Sequence, residues 1–283
     1  MPSSVTIINW NSGIRLKTCI ESLLETAPSA EILVVDNASE DDSLELAHGF
    51  RNQVHFVSNS VNRGLAAAIN QAFNTTSNEH VLVLNPDIRV LPGAVVILED
   101  FLKANPRTGA VGGYVNEKYL PRRFPTVGAL VRENLALRKI TGDHNPPLQP
   151  GNAIAVDQPA AAALMVRRDA YESIGGFDEQ FYPAWYEDVD FCQRLKKEGW
   201  DIYFVPKAEF LHEGGYSAGA LGAEKFANAY YRNQMRYAKK HFGPAGVGVV
   251  RASIAVGMIG RMIGRPRQAA AYGKVLAGVF KAL

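Results

Sequence analysis

The stretch of the chain best equipped for chemistry is FYPAWYEDVDFC, where Glu187, Asp188 and Asp190 follow Phe181, Tyr182, Trp185 and Tyr186. Acids in the first turn of a helix are stabilised by its dipole by about 0.3–1 kcal/mol, which accounts for some of them. The aromatic neighbours add a semi-enclosed pocket able to raise a carboxylate's pKa. Such a carboxylate can take the proton of an attacking hydroxyl. Three polar clusters lie earlier, each after an apolar run: Asn9-Trp10-Asn11, Asp36-Asn37 and Asn85-Pro86-Asp87. A carboxylate in such a place can accept a hydrogen bond from a pyrimidine N–H, or hold a divalent cation on a diphosphate. His212 ends the run AEFLH ahead of Glu213-Gly214-Gly215 and is a candidate metal ligand. Taken singly, Asp and Asn are ordinary turn formers, so the weight lies in the arrangement.

The elements that must position these residues are legible as periodicities. Residues 5–8, 32–35, 54–57 and 81–84 are short apolar runs. Residues 14–27 carry helical spacing, with Leu16, Cys19, Ile20, Leu23 and Leu24 on one face. Residues 41–50 read as a polar helix, 64–74 as another, and 92–104 as a helix with Pro92 in its first turn. Continuous apolar strands separated by helices predict a parallel sheet covered on both faces, a doubly wound α/β nucleotide-binding architecture. Ligands bind at the carboxyl ends of the strands of such a sheet, where the three clusters fall. None of the clusters is the Gly-rich turn of a dinucleotide or P-loop site, which excludes NAD-dependent chemistry and an ATPase. A nucleotidyltransferase wants a Gly-rich loop bearing Arg or Lys after the first strand, and NWNSG does not supply it.

Residues 114–156 are rich in proline and basic side chains (Pro121-Arg122-Arg123, Pro146-Pro147, Pro150) and read as a long excursion involved in substrate binding. Order returns with a strand at 160–166 and a helix at 168–174 ended by Gly175-Gly176. A helix at 187–198, closed by Gly199, and a strand at 202–205 follow.

The 283 residues, 47% hydrophobic and 20% charged, have the profile of a folded soluble protein with a sizeable core. The two cysteines, Cys19 and Cys192, lie far apart in apolar stretches and predict a reducing compartment. The first strand begins at Val5 and leaves no room for a signal peptide, so the expected location is cytoplasmic. The net charge of +2 hides an asymmetry: residues 225–283 hold eleven Lys/Arg and no acid, against a formal charge of −9 on the rest. A basic tail on an acidic body points to an anionic partner. Residues 245–264 are apolar but interrupted by Arg251 and Arg261, which disfavours spanning about 30 Å of hydrocarbon. On a helical wheel Val249, Ala252, Val256, Ile259 and Ile263 oppose the arginines, while Val250, Ile254 and Met258 fall on the arginine side. The expectation is a helix lying in an anionic membrane surface, with a second after Pro266. A hairpin packed on the body or on another subunit of a homo-oligomer is the alternative. Nucleic acid is not expected, because stacking aromatics in the tail are limited to Tyr272 and Phe280.

Read in order, VTIINWNS, VVDNAS, NRGLAAAIN, LNPD, GGFDEQFYPAWYEDVDFCQRLKKEG and FLHEGGYS resemble the inverting family-2 glycosyltransferases of the GT-A fold. Within that family they are most similar to bacterial rhamnosyltransferases of polysaccharide and cell-wall assembly. The resemblance covers residues 5–242 and implies a Rossmann-like mixed sheet with helices on both faces. It places a donor-binding half at 1–112, an acceptor-binding and catalytic half of the same domain at 113–243, and a basic helical tail at 244–283. Asp36 would read the base, with Trp10 and Asn9 lining its pocket, and Arg63 and Gly64 would contact the donor. Asn85-Pro86-Asp87 occupies the place of the family's Asp-x-Asp metal motif, and His212 matches a histidine that joins the metal. Asp188 matches the catalytic base, leaving Glu187 to orient the acceptor and Asp190 to cap the helix.

One departure is Asn85, where the family's first metal-motif Asp is absent; Asp87 and an imidazole then favour Mn²⁺ over strict Mg²⁺. The implied donor is dTDP-L-rhamnose, with UDP-galactofuranose and UDP-N-acetylhexosamines as alternatives. The implied acceptor is a saccharide, carried in many relatives on a polyprenyl diphosphate. A sugar-nucleotide-binding scaffold without transfer activity is the rival reading, for which Asn85 alone speaks.

Overall fold

A computed structural model describes residues 3–137, 151–212 and 221–281. Glu213-Gly214-Gly215 and the prolines at 146, 147 and 150 lie outside the described residues. In chain order the elements are β1 (Ser4–Asn9), α1 (Ile14–Thr26), β2 (Glu31–Asp36), α2 (Ser43–Leu46), β3 (His55–Ser58), α3 (Leu65–Thr75), β4 (His80–Leu84), β5 (Ile88–Val90), α4 (Ala94–Ala104) and β6 (Thr108–Tyr114). Then come α5 (Val127–Asn134), β7 (Ile154–Ala155), β8 (Ala163–Arg167), α6 (Arg168–Ser173), α7 (Glu187–Lys197), β9 (Asp201–His212), α8 (Ala223–His241), α9 (Pro244–Gly264) and α10 (Ala269–Lys281).

The strands form one sheet in the order β3-β2-β1-β4-β8-β6-β9-β5, with β7 against β9. β1 to β4 are mutually parallel, as their continuous apolar runs require. β8 enters antiparallel between β4 and β6, so the whole sheet is mixed. Every residue of β1, β4 and β8 is buried because both faces are covered. One core holds α1 residues Leu16, Ile20 and Leu23 with α4 residues Leu98 and Leu102. The other holds α3 residues Ile69 and Phe73 with Tyr171, Phe191 and Leu195 of α6 and α7.

Three elements differ from the sequence reading. The polar helix expected at 41–50 shrinks to α2 and a short 3-10 turn at His48–Phe50. Pro92 precedes α4 rather than opening it, and the helix starts after Gly93. The strand expected at 202–205 continues to His212 as a twelve-residue β9. Pro206 hides this continuity, since proline cannot donate a ladder hydrogen bond. The register with β6 shifts between Gly113 and Tyr114, so the same strand pairs with β6 first and with β5 at its end. That shift matters for the site, because it sets Ile88 opposite His212. The division at 112/113 falls inside β6.

The tail forms two helices, and α9 is bonded to the body. Val250, Ile254 and Met258 pack with Leu130, Met235, Val275 and Val279 in a separate helical core. Asn134 donates to Ser253 Oγ at 2.9 Å, and Arg261 donates to the Asn134 carbonyl at 2.9 Å. Gly257 is required there, since a Cβ would stand 2.2 Å from that carbonyl oxygen. The arginine side of the wheel therefore faces the protein, and the three apolar residues that share it are its packing surface. The opposite side is left uncovered: Val249, Val256, Ile259 and Ile263 are 49–78% exposed.

α7 and α8 are joined through a buried carboxylate. Asp190, fully buried, meets His241 Nε2 at 2.7 Å, Arg194 Nε at 2.7 Å and Lys240 Nζ at 3.0 Å. Burial pushes its pKa up, but the His241, Arg194 and Lys240 partners hold it below the usual value. A depressed folded pKa contributes stability above the unfolded value of about 3.9, lost as the pH falls through the folded value. The residue expected to cap a helix instead ties two helices together. Asp190→Ala strands the Arg194 and Lys240 charges and the His241 ring and should lower the unfolding free energy at neutral pH by about 3–5 kcal/mol. Denaturant melts would detect this, and a loss below about 1 kcal/mol would place the pair among weak surface bridges.

Candidate active site

The ends of β1, β2 and β4, the turn before α7 and the end of β9 converge on one cavity of about 1330 Å³. Trp10, Asn85, Asp87, Trp185, Glu187, Asp188 and His212 all line it. Asn9 and Asp36 stand behind its wall, buried in a hydrogen-bond lock. Asn9 Nδ2 donates to Asp36 Oδ1 at 2.7 Å, Ser43 Oγ at 3.0 Å and Ser39 Oγ at 3.1 Å. Asp36 also accepts from Ser39 Oγ at 2.6 Å and from the Ser39 N–H at 3.1 Å. The lock shapes the loop that carries Trp10. Arg63 and Gly64 are likewise off the cavity surface: the Arg63 guanidinium reaches Gln71 at 3.3 Å. Gly64, at φ +86°, lies under the Tyr182 ring, where a Cβ would stand 2.8 Å from Cδ2. The Leu65 N–H donates to the Pro183 carbonyl at 2.7 Å, fastening the start of α3 to the turn before α7.

Asp87 and His212 are brought together by the β5–β9 pairing, with Asp87 Oδ1 3.4 Å from His212 Nε2. Both side chains are buried, and Tyr119 packs against the imidazole with ring centroids 4.5 Å apart. Among the described residues His212 Nδ1 has no hydrogen-bond partner. Burial lowers the imidazole pKa against the opposing pull of Asp87, which keeps it neutral, the form that binds metals. A carboxylate and a neutral imidazole with an unsatisfied nitrogen fit a divalent cation of the Mn²⁺ type. Among the described residues no group of three or more His, Cys, Asp or Glu is placed to hold a metal. A cation here would complete its shell with diphosphate oxygens and water.

The two acids at the start of α7 have different surroundings. Glu187 is buried and its Oε2 has no partner. Burial, with Asp188 beside it, raises its pKa well above the ordinary carboxylate value, which favours its neutral form. Asp188 is partly exposed to the cavity and accepts from the Val189 N–H at 2.8 Å. Burial raises its pKa too, but backbone N–H groups and the Arg122 charge favour its ionised form. Burial thus favours the neutral form of Glu187, while Asp188 is the acid whose surroundings also include a positive charge favouring ionisation.

Several residues that build the site carry no sequence signal of their own. Buried Asn233 on α8 donates to the carbonyls of Ala184 at 2.8 Å, Trp185 at 3.2 Å and Tyr182 at 3.3 Å. That amide supports a turn in which Trp185 and Tyr186 both have positive φ. Gln234 donates to Tyr186 Oη at 3.0 Å, and Tyr230 donates to Glu133. Asn37 bonds Asn62 and the Gly64 carbonyl, holding the loop after β3 to the end of β2. A polar Asn-Gln pair inside the RNQMR helix was the one hint of these contacts in the sequence.

Comparison with known proteins accords with this site. Residues 4–172 match the model described as glycosyl transferase family 2, and residues 155–214 match the N-terminal domain of galactosyltransferase. An N-acetylglucosaminyl-diphospho-decaprenol L-rhamnosyltransferase of Mycobacterium tuberculosis is 28% identical over 84% of this chain and 85% of its own. A low-salt glycan biosynthesis hexosyltransferase of Haloferax volcanii is 26% identical over 74% of this chain and 66% of its own. Among solved structures, a Pyrobaculum calidifontis mannosyltransferase in complex with GDP-Man and Mn²⁺ superposes with TM-score 0.61 at 14% identity, covering 99% of this chain and 86% of that one. GalNAc-T7 with UDP, GalNAc and Mn²⁺ gives TM-score 0.63 at 17% identity over 82% of this chain and 47% of that one. With the family model spanning more than half of its length and the GT-A fold around its cavity, the chain belongs to glycosyl transferase family 2.

Proposed function

We propose that the protein transfers L-rhamnose from dTDP-L-rhamnose, with inversion, to a hydroxyl of a saccharide carried on a polyprenyl diphosphate. The observation that carries this reading is the pairing, in one cavity, of an ionisable Asp188 with the Asp87–His212 pair. Asp188 is the base that takes the proton of the acceptor hydroxyl. Neutral Glu187 can donate a hydrogen bond to a sugar oxygen without competing for that proton. Inversion is a single displacement and needs no second nucleophilic carboxylate. A cation held by Asp87 and His212 would neutralise charge on the departing diphosphate. The mycobacterial relative, named for an L-rhamnosyl transfer to a diphospho-decaprenol sugar, supports the choice of donor and acceptor.

The tail supports a peripheral location on an anionic membrane, on the cytoplasmic side. α9 has the length and apolar composition to cross a bilayer, but its inner face is bonded to α5. Its outer face presents Val249, Ala252, Val256, Ile259 and Ile263 at alternating spacings of three and four, an uncharged stripe. Exposed Arg265 and Arg267 sit at its end. An apolar stripe beside a basic turn fits a helix lying in a headgroup layer.

Three outcomes are expected. Asp188→Asn should retain donor nucleotide in a thermal-shift titration with Mn²⁺ and lose transfer by about 10²–10⁴-fold; near-normal turnover would remove Asp188 from the mechanism. Because the Asp188 pKa is raised, kcat/KM should fall on acidification with a midpoint above the ordinary value of about 3.9. A rate independent of pH down to that value would contradict this. Val256→Glu with Ile263→Glu should release the protein from phosphatidylglycerol vesicles in co-sedimentation while leaving its melting temperature within a few degrees. Equal sedimentation of both forms, or a dimer that the same changes dissociate, would exclude the membrane role.

A further inference from the structure

The cavity is larger than a nucleotide sugar needs. Its volume of about 1330 Å³ exceeds the roughly 300–1,000 Å³ of ordinary small-molecule sites. Trp10, Asn85, Asp87 and His212 are one part of its lining, and residues of the 118–133 stretch with Tyr230 are a second part, joined to the first by Tyr119, which packs on the His212 ring. Within that second part are two arginines that the catalytic reading leaves unused.

Three arginines of the body, Arg167, Arg168 and Arg194, are bonded inward. Arg167 bonds Glu79 and the carbonyls of Thr108 and Leu102. Arg168 bonds the carbonyls of Phe73, Thr76 and Asn78, and Arg194 bonds Asp190. Arg122 and Arg123 differ. Both are exposed on the cavity wall, and neither has a carboxylate partner within ion-pair distance among the described residues. Arg122 reaches only the Lys118 carbonyl, at 3.3 Å.

Their backbone, by contrast, is pinned. The Arg122 N–H donates to the Gln158 carbonyl at 3.0 Å, Gln158 Nε2 donates to the Arg123 carbonyl at 3.1 Å, and the Phe124 N–H donates to Asp157 at 3.0 Å. A fixed backbone with two unpaired guanidinium groups is a ready fork for an anion of several oxygens. The Arg122 charge also acts on Asp188. In an in-line inversion the base stands opposite the leaving diphosphate, so groups near Asp188 belong to the acceptor's side. The same stretch of wall carries Phe124, Ala129 and Leu130, apolar side chains that a hydrocarbon chain could meet, alongside the polar Thr126, Arg132 and Glu133.

We propose that Arg122 and Arg123 form a second anion site, which binds the diphosphate of a lipid-linked acceptor while the donor diphosphate sits at Asp87 and His212. The inference rests on the acceptor class proposed above, and it assigns the residues that select that class. Arg123 is the diagnostic position, because Arg122 also influences the base.

The test is calorimetry with geranyl diphosphate as probe, on full-length protein saturated with dTDP and Mn²⁺, comparing wild type, Arg123→Glu and Arg123→Lys. Arg123→Glu should weaken the probe by about tenfold or more, Arg123→Lys should retain part of the affinity, and dTDP affinity should stay within about twofold. Geraniol, without phosphate, should bind weakly and equally to all three. Unchanged probe affinity in Arg123→Glu, or no probe binding to wild type, overturns the proposal. An equal loss of dTDP affinity also overturns it, by assigning the arginines to the donor. A protein that binds the probe through Arg123 but transfers a different sugar would leave this site standing and refute the rhamnosyl donor. Thermal melts of the variants check folding, which an exposed side chain without contacts should not disturb.

Discussion

The buried carboxylate of Asp190 is the joint on which the catalytic half depends. It lies two residues beyond the acid pair on α7, and its partners on α8 lie about two turns beyond Asn233, which holds the aromatic turn. A buried charge is tolerated only when it is fully partnered, and here Arg194, Lys240 and the His241 ring share it. The consequence is directional. Once α8 is held against α7, Asn233 can reach the carbonyls of residues 182–185, and Glu187 and Asp188 are presented to the cavity rather than to solvent. Electrostatics thus supplies positional accuracy here more than net stability.

The same stretch shows how two adjacent carboxyl groups divide their work. Burial alone would neutralise both. Asp188 is partly exposed at the cavity surface and feels the Arg122 charge, whereas Glu187, although it too accepts backbone N–H groups, is buried and feels the charge of Asp188 beside it. Pairs of acids whose environments separate their pKa values are a recurring means of assigning proton donor and acceptor. Sequence alone cannot make this distinction, since Glu187 and Asp188 occupy the same turn behind the same aromatics.

The parts of the fold set by local periodicity were legible: β1 to β4 and the helices between them lie within a few residues of where apolar runs and helical spacing place them. The parts set by long-range pairing were not. β5 is three residues long, and β9 runs through a proline, so the contact between Asp87 and His212 could be named from resemblance but not from pattern. Asp36 and Asn9 show the opposite limit. Their residue types suggested ligand contacts, whereas the fold satisfies them internally with Ser39 and Ser43. In the tail, the wheel sorted α9 correctly but could not say which side would meet protein, because a half-buried arginine bonded to a carbonyl, as Arg261 is, looks the same in sequence as a solvated one.

α5 has a role that its eight residues do not advertise. Leu130 packs with Val250 and Ile254 of α9 and also lines the catalytic cavity, so one helix is a wall of the active site on one side and the seat of the tail on the other. Were the uncovered face of α9 to lie against a bilayer, as proposed, the heading of the cavity relative to the lipid plane would be set by rigid packing rather than by a flexible tether. A lipid-borne acceptor would then search for the cavity by diffusion in two dimensions, meeting it always from the same quarter.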